Sequence, residues 1–277
     1  MNEPTNRNFS RRRFLKLSTA ATLIAVNHAS SGNNGGGQPP GAVVAKKRVC
    51  VLGASGPVGN AITRELLAAG HRVVTVSRST EKLDKIRAVY APTHRIDILQ
   101  GDVSSDELAR QLCDSLLQQF GRPDGVVASL GGPEADAPMR ILDTSTERLK
   151  RAFDTNLFSH VTAARALIPA MNPGGVYIGI NGGLADFVVP NQGALSMTQS
   201  AIRSLYRVLA QEAQSSSQVS IRLLELYGLV ATDQNRSQQR GDMYIPDDQV
   251  GKRATEIIVN PGSFAGPVLS LKSKRFS

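Results

Sequence analysis

Cysteine and aromatic residues are scarce in this chain of 277 residues. It has two cysteines, no tryptophan and 5% aromatic residues. So few cysteines exclude a disulfide-rich scaffold and a cysteine-ligated metal cluster. Cys50 falls in a predicted strand and Cys113 in a predicted helix, which indicates that each is a small buried residue. The sequence predicts no metal site.

Basic residues exceed acidic ones, but they do not form a nucleic-acid-binding pattern. The formal net charge is +9, and 1–29 carry five basic residues against one acidic, which leaves +5 for the remainder. No basic stripe interleaved with aromatic residues is present, so nucleic acid is not a predicted partner. With 41% apolar and 20% charged residues, the composition is that of a soluble globular protein with one sizeable core.

The N-terminal apolar run, at 17–26, is too short to span a membrane, which takes ~20 residues. It follows the segment SRRRFLK at 10–16, and together the two resemble a twin-arginine export signal. A basic disordered tail is the alternative, although it does not account for the apolar run. The resemblance implies that 1–29 are read by the twin-arginine translocase and that the protein reaches the periplasm or the extracellular space already folded.

The signal cleavage position stays open between two sites, one after Ala29 and one after Ala45. Residues 30–41 are Ser, Gly, Asn, Gln and Pro, which cannot bury enough apolar surface to become ordered. We therefore predict a flexible linker at 30–45 and a single folded domain at 46–277.

A glycine-rich turn, GASGPVG at 53–59, lies between a predicted strand at 49–52 and a predicted helix. Gly53 lets the chain leave the strand sharply, Gly56 brings backbone close to an anion, and Gly59 lets the helix settle against the sheet. The helix N-terminus offers unpaired N–H groups to a pyrophosphate. The turn predicts a dinucleotide site rather than the alternative, a tight turn without a ligand. Its predicted contacts are Gly53, Ser55, Gly56, Pro57, Val58 and Gly59.

Apolar strands alternate with amphipathic helices along the rest of the chain. Strands are predicted at 49–52, 73–77, 96–99, 126–130, 175–180, 219–226 and 267–271, and helices at 80–91, 105–120, 145–167 and 193–215, besides the helix after the glycine turn. This alternation predicts an α/β fold, a doubly wound parallel sheet of the Rossmann type. Ligands of such sheets bind at the carboxyl ends of the strands, where six polar or glycine positions fall: Gly53, Ser77, Asp102, Gly131, Asn181 and Gly228.

The order of these motifs resembles the short-chain dehydrogenase/reductase family over 47–271. Asp102-Val103 is similar to the pair that holds the adenine ring, and Gly131 to the last residue of the Asn-Asn-Ala-Gly motif after the fourth strand. Asn156, in FDTN, is similar to a structural and catalytic asparagine. Gly228 and Thr232 resemble the glycine and threonine that contact the nicotinamide end. The resemblance implies a nicotinamide dinucleotide cofactor.

The residues after the second strand favour NADP(H) over NAD(H). An acidic residue there would bind a ribose diol, whereas Ser77, Arg78 and Ser79 supply a cation and two hydroxyls suited to a 2′-phosphate. The alternative is that Arg78 is an ordinary surface residue.

The catalytic tyrosine, lysine and serine that the resemblance implies are replaced. The tyrosine position is Leu195, the lysine position Gln199 and the serine position Gly182. No lysine occurs between Lys150 and Lys252, so a shift of register cannot restore the pair. Leucine has no proton to give, and an amide has no charge with which to lower the pKa of a phenol.

Three polar residues remain as candidates for catalysis: Asn156, Asn181 and Tyr227. Asn181 could hydrogen-bond a carbonyl, while Tyr227 either donates a proton or packs over the sheet edge. The sequence thus favours an NADP(H)-binding or sensing protein with little or no turnover. An active NADP(H)-dependent oxidoreductase on a small carbonyl or alcohol, with a non-standard proton donor, is the alternative, and a scaffold for a protein partner is a third. The helices at 145–167 and 193–215 resemble those that pair in family oligomers, which implies a homodimer or homotetramer.

Overall fold

The computed structural model describes residues 45–132, 138–216, 218–232 and 241–277. The predicted export signal at 1–29 and all but the last residue of the predicted linker lie outside the described residues. No helix among the described ranges is both long enough and apolar enough to cross a bilayer.

Seven strands form one parallel sheet in the order β3-β2-β1-β4-β5-β6-β9. They are β1 (Arg48–Leu52), β2 (Arg72–Ser77), β3 (Ile96–Gln100), β4 (Gly125–Ala128), β5 (Val176–Gly182), β6 (Ser220–Tyr227) and β9 (Val268–Lys272). Two short strands, β7 (Leu229–Ala231) and β8 (Tyr244–Pro246), pair in parallel outside this sheet. The predicted parallel sheet is confirmed.

Helices cover both faces of the sheet. They are α1 (Pro57–Ala68), α2 (Thr80–Tyr90), α3 (Asp106–Phe120), α4 (Thr146–Phe153), α5 (Ser159–Leu167), α6 (Gly193–Ser216) and α7 (Asp247–Val259). One core lies between the sheet and α3, α5 and α6, and the other between the sheet and α1, α2 and α7. The strands are accordingly apolar on both sides: Cys50 faces the first core and Val51 the second.

Local sequence explains where the helices begin. The hydroxyls of Ser79, Ser105 and Ser145 each accept a hydrogen bond from the backbone N–H three residues later, so α2, α3 and α4 all begin at a serine N-cap. The chain turns away after α1 through a left-handed glycine, Gly70, with φ +84°.

The structure differs from the sequence prediction in two regions. The predicted helix at 145–167 is interrupted by a π turn, Asp154–Phe158, which divides it into α4 and α5. Helix α7 and the β7–β8 pair were not predicted. α7 packs closely on α1, because a Cβ at Gly251 would stand 2.6 Å from the Ala61 carbonyl oxygen.

The strand register brings the predicted site to one edge of the sheet. Because all seven strands are parallel, their carboxyl ends open on the same side. Every one of the six predicted edge positions lies within three residues of the carboxyl end of its strand: Gly53, Ser77, Asp102, Gly131, Asn181 and Gly228.

Candidate functional site

The glycine turn packs against the end of β4. Gly53 has φ +72°, and a Cβ there would stand 3.0 Å from the Ser129 carbonyl carbon. A Cβ at Gly59 would stand 2.9 Å from the Ala54 Cα, which would force α1 away from the turn. Both positions therefore require glycine, as predicted.

The N-terminus of α1 has the form of an anion cradle. Gly56 is the N-cap and has no side chain, and Pro57 is the first helical residue. The backbone N–H groups of Val58 and Gly59 have no helical carbonyl to bind, because they lie in the first turn. Next to this turn, the Ser55 and Ser77 hydroxyl oxygens are 3.2 Å apart. These groups fit a pyrophosphate at the start of the helix.

Arg78 lies just beyond β2 with an exposed side chain. Its carbonyl accepts a hydrogen bond from Gln100 Nε2, while its guanidinium makes no hydrogen bond or ion pair with another described residue. Ser77 Oγ also accepts a hydrogen bond from the Ser79 backbone N–H, at 3.3 Å. The guanidinium is thus free to meet a phosphate beside two ordered hydroxyls.

The turn after β3 has a defined shape. Asp102 Oδ1 accepts a hydrogen bond from the Ser104 backbone N–H at 2.9 Å. Val103 is buried, and its carbonyl accepts a hydrogen bond from the Thr162 hydroxyl on α5. This ties the predicted adenine position to the helix behind it.

Asn156 holds the backbone that follows β4. Its Oδ1 accepts a hydrogen bond from the Gly132 N–H at 3.3 Å, and its Nδ2 donates to the Ala152 carbonyl at 2.9 Å. A Cβ at Gly131 would lie 3.0 Å from the same Oδ1. The side chain is buried in the π turn, and its polar atoms are satisfied by the protein. Asn156 therefore orders the site here; its catalytic role stays a prediction.

Gly228 and Thr232 flank the site at the end of β6. Gly228 has φ +149°, and a Cβ there would lie 2.6 Å from the Met243 carbonyl oxygen, so the chain passes close to the segment leading to β8. Thr232 is buried directly after β7.

The face of α6 that looks toward the site is bound to the loop between β5 and α6, residues 183–192, here called the β5 loop. Ser196 Oγ donates to the Leu184 carbonyl at 2.8 Å, and Gln199 Oε1 accepts from the Leu184 N–H at 2.9 Å. A Cβ at Gly182 would come within 2.7 Å of the same Gln199 Oε1. Leu195 lies half-buried on this helix.

Asn181 and Tyr227 belong to a polar cluster centred on Arg203. Asn181 Nδ2 donates to the Gln199 carbonyl and to Glu225 Oε1, each at 3.0 Å. Arg203 Nη2 donates to the Tyr227 hydroxyl at 2.9 Å, and that hydroxyl donates to the Asp186 carboxylate. Both predicted catalytic groups are thus engaged within the protein.

The charges of this cluster set its proton affinities. Hydrogen bonds from Arg203 and Tyr227 lower the pKa of Asp186 to about 2. Burial and the hydrogen bond to Asp186 raise the pKa of Tyr227 to about 12. A proton donor working near neutrality needs a pKa nearer to 7, so this environment shifts the phenol in the opposite direction.

Comparison with known proteins gives a consistent family. Residues 53–273 match a family model described as enoyl-(acyl carrier protein) reductase. An uncharacterized oxidoreductase of Methylorubrum extorquens is 32% identical over 169 residues, which are 60% of this chain and 66% of that protein. The chain belongs to the short-chain dehydrogenase/reductase family.

Two further proteins resemble the chain at lower identity. The NADPH-dependent pterin aldehyde reductase of Arabidopsis thaliana is 26% identical over 172 residues, 61% of this chain and 70% of that enzyme. L-sorbose reductase from Gluconobacter frateurii, solved with NADPH and L-sorbose, has a TM-score of 0.72 at 16% identity, covering 83% of this chain and 95% of the enzyme. A likeness at that identity shows the shared fold alone.

The cluster of Asp186, Arg203 and Glu225 was missed by the sequence prediction. Glu225 lies in the apolar segment LLEL of β6 and is completely buried. A carboxylate in such a segment is expected to have a buried cationic partner, which was the available signal. In the short-chain dehydrogenase/reductase pattern, Gln199 is at the lysine position. Arg203 lies one helical turn beyond it.

Proposed function

We propose that this protein binds NADP(H) at the carboxyl edge of its sheet and turns over carbonyl or alcohol substrates little or not at all. The observation that carries the proposal is that side chains of α6 are bound to the β5 loop. Ser196, Gln199 and Arg203 bind the β5 loop instead of presenting a phenol and an ammonium group to the crevice. The cradle at Gly53 to Gly59 is meanwhile intact.

The residues that would hold the dinucleotide fit it chemically. The first turn of α1 and Ser55 would bind the pyrophosphate, and Arg78 with Ser77 would bind a 2′-phosphate. Asp102 and Val103 would line the adenine, while Gly131, Gly228 and Thr232 would lie along the nicotinamide half. When bound, the nicotinamide supplies hydride chemistry. The described side chains around it are engaged with one another rather than available to move a substrate proton.

Fluorescence titration of the purified protein with NADPH and NADH tests the binding. We expect tighter binding of NADPH, and we expect Arg78→Ala to weaken it by about 10- to 100-fold, the loss of one charge-assisted hydrogen bond, with little effect on NADH. Arg87→Ala, at another arginine of the same region on α2, is the control and should change neither affinity. Absence of binding by either nucleotide would overturn the proposal.

Turnover is tested separately on the nucleotide-bound protein. A broad panel of carbonyl and alcohol substrates should give no hydride transfer above background, and Tyr227→Phe should leave NADPH affinity unchanged. Rapid turnover of any substrate would contradict the proposed lack of activity.

An active NADP(H)-dependent oxidoreductase is the second candidate. It is supported by the contact between the Tyr227 hydroxyl and Arg203, a phenol beside a cation, and by the oxidoreductase names of the relatives. Under this candidate Tyr227 donates the substrate proton, and Tyr227→Phe abolishes turnover while NADPH binding persists.

We also propose that the protein is exported by the twin-arginine translocase and acts outside the cytoplasm. The segment at 10–26 supports this, and replacement of Arg11, Arg12 and Arg13 by lysine should retain the protein in the cytoplasm on fractionation.

Self-association through α4–α5 and α6 is proposed from the family resemblance. Light scattering during gel filtration should give a mass of two or four chains.

A further inference from the structure

Three successive turns of α6 each bind the β5 loop. Ser196 and Gln199 bind the two backbone polar groups of Leu184, and one turn further Arg203 binds the Asp186 carboxylate through Nη1 and Nη2. Positions 196, 199 and 203 share one face of the helix, since they are spaced by three and four residues. The loop residues 183–186 are therefore held along the helix rather than at a single point.

Arg203 joins this loop to the sheet. Its Nε donates to both Glu225 carboxylate oxygens, at 2.9 and 3.0 Å, while its other nitrogens reach Asp186 and Tyr227. Glu225 is completely buried, so Arg203 is its required counter-charge. Asp186, by contrast, is about half exposed and bonds the outward side of the same guanidinium. The two carboxylates thus have different roles: Glu225 fixes Arg203, and Arg203 fixes Asp186.

The loop also closes over Tyr227. A Cβ at Gly183 would stand 2.7 Å from the Tyr227 ring, and the Phe187 ring centroid lies 6.4 Å from that of Tyr227. Val188 is 90% exposed, and the rest of the loop is held elsewhere, since the Met139 backbone N–H donates to the Asn191 carbonyl at 2.8 Å. The part of the loop that contacts α6 and Tyr227 is therefore 183–187.

We propose that Arg203 and Asp186 are positioning residues that hold 183–187 against α6 and so form a rigid wall on the substrate side of the crevice. The inference rests on the proposed function in one respect only, namely that the crevice has a side on which a substrate would bind. Loss of Asp186 leaves Arg203 paired with Glu225 and Leu184 bound to α6, so the fold survives while the loop loses its contact with Arg203 and is held less tightly.

Hydrogen–deuterium exchange of the full chain tests the proposal. The backbone N–H of Leu184 binds Gln199 Oε1, and that of Asp186 binds the Gly183 carbonyl, so both amides report on the loop. Asp186→Ala should raise their exchange rates about fivefold or more, the loss expected for a partly exposed ion pair, with α6 unchanged. Asp186→Glu, which keeps the carboxylate, should restore most of the protection.

The matched control is Asp106→Ala, which removes an exposed pair with Arg165 at 2.6 Å on another part of the surface. It should leave exchange in the loop unchanged. The proposal would be overturned by any of three results: unchanged exchange in Asp186→Ala, an equal change in the control, or no restored protection in Asp186→Glu. NADPH affinity, measured on the same variants, should stay within twofold. If wild-type protein binds no NADPH, the proposed function fails while the exchange result still decides whether the loop is held.

Discussion

The side-chain amide of Gln199 occupies the space that a side chain at Gly182 would need. A Cβ there would come within 2.7 Å of Gln199 Oε1, the atom that also binds the Leu184 N–H. The family resemblance places serine and lysine at these two positions. Glycine and glutamine thus form a matched pair, and a serine introduced at 182 alone creates a clash.

We predict that Gly182→Ser destabilises the fold by about 1–3 kcal/mol, the usual effect of overpacking. Gln199→Ala alone should cost about 1 kcal/mol, because it leaves the Leu184 N–H without its acceptor. In the double variant the serine gains the vacated space, so the two effects should be less than additive. Urea unfolding of all four proteins measures this, and strictly additive effects would contradict the contact.

Gly53→Ala and Gly174→Ala separate backbone strain from steric overlap. Both glycines have similar dihedrals, with φ of +72° and +77°, but a Cβ at Gly174 has nothing within 4 Å whereas one at Gly53 meets the Ser129 carbonyl. Gly174→Ala should cost about 1–2 kcal/mol from strain alone. Gly53→Ala should cost clearly more and should also abolish NADPH binding. Equal losses of unfolding free energy would show that the turn does not press on β4.

His160 should make stability depend on pH. It is completely buried, with Nδ1 2.9 Å from the Tyr206 hydroxyl oxygen, and burial lowers its pKa to about 4. The unfolded state, with a histidine pKa near 6.5, takes up a proton first as pH falls. This contribution to stability is therefore present above pH 6.5 and is lost as pH falls toward 4.

At pH 5 the loss from His160 is about 2 kcal/mol relative to pH 7. In His160→Gln the difference in unfolding free energy between pH 7 and pH 5 should shrink by about that amount. His71 is also buried, and its pKa is lowered as well, so it too loses its contribution to stability as pH falls and some pH dependence persists in the variant.

Asn156→Asp tests the ordering role of the π turn. The added carboxylate keeps an acceptor for the Gly132 N–H but loses the donor to the Ala152 carbonyl and places a charge at a buried position. We expect a loss of about 2–4 kcal/mol in unfolding free energy, larger than for Asn156→Ala. Denaturant unfolding compares the two, and the reverse order would exclude burial of the charge as the cause.

The sheet was predictable because its strands are largely apolar and are separated by amphipathic helices, three of which begin at a serine cap. Helix α7 was missed although Val250, Ala254, Ile257 and Ile258 have helical spacing, since the polar residues before it obscured its start. The π turn could not be predicted, because the Asn156 side chain there bonds the Gly132 N–H, a contact between residues distant in the sequence that no local pattern indicates.

The shape of the glycine turn was predictable because glycine is required at Gly53 and Gly59 whatever surrounds them. At Leu195, Gln199 and Gly182 the sequence showed only which residue types are present. The polar cluster beside them could not be read from the sequence. It arises from contacts between Arg203 on α6, Asp186 on the β5 loop and Glu225 on β6, which the fold alone brings together.

The strand order has a consequence for how the chain acquires its structure. β1 lies between β2 and β4, so Val49 pairs with Val73 on one side and with Gly125 on the other, and β6 gains its outer neighbour only when β9 is added. Most strand neighbours are thus far apart along the polypeptide, which gives a high contact order and slow folding. A nascent chain emerging from the ribosome exposes an unpaired β6 edge until β9 has been made.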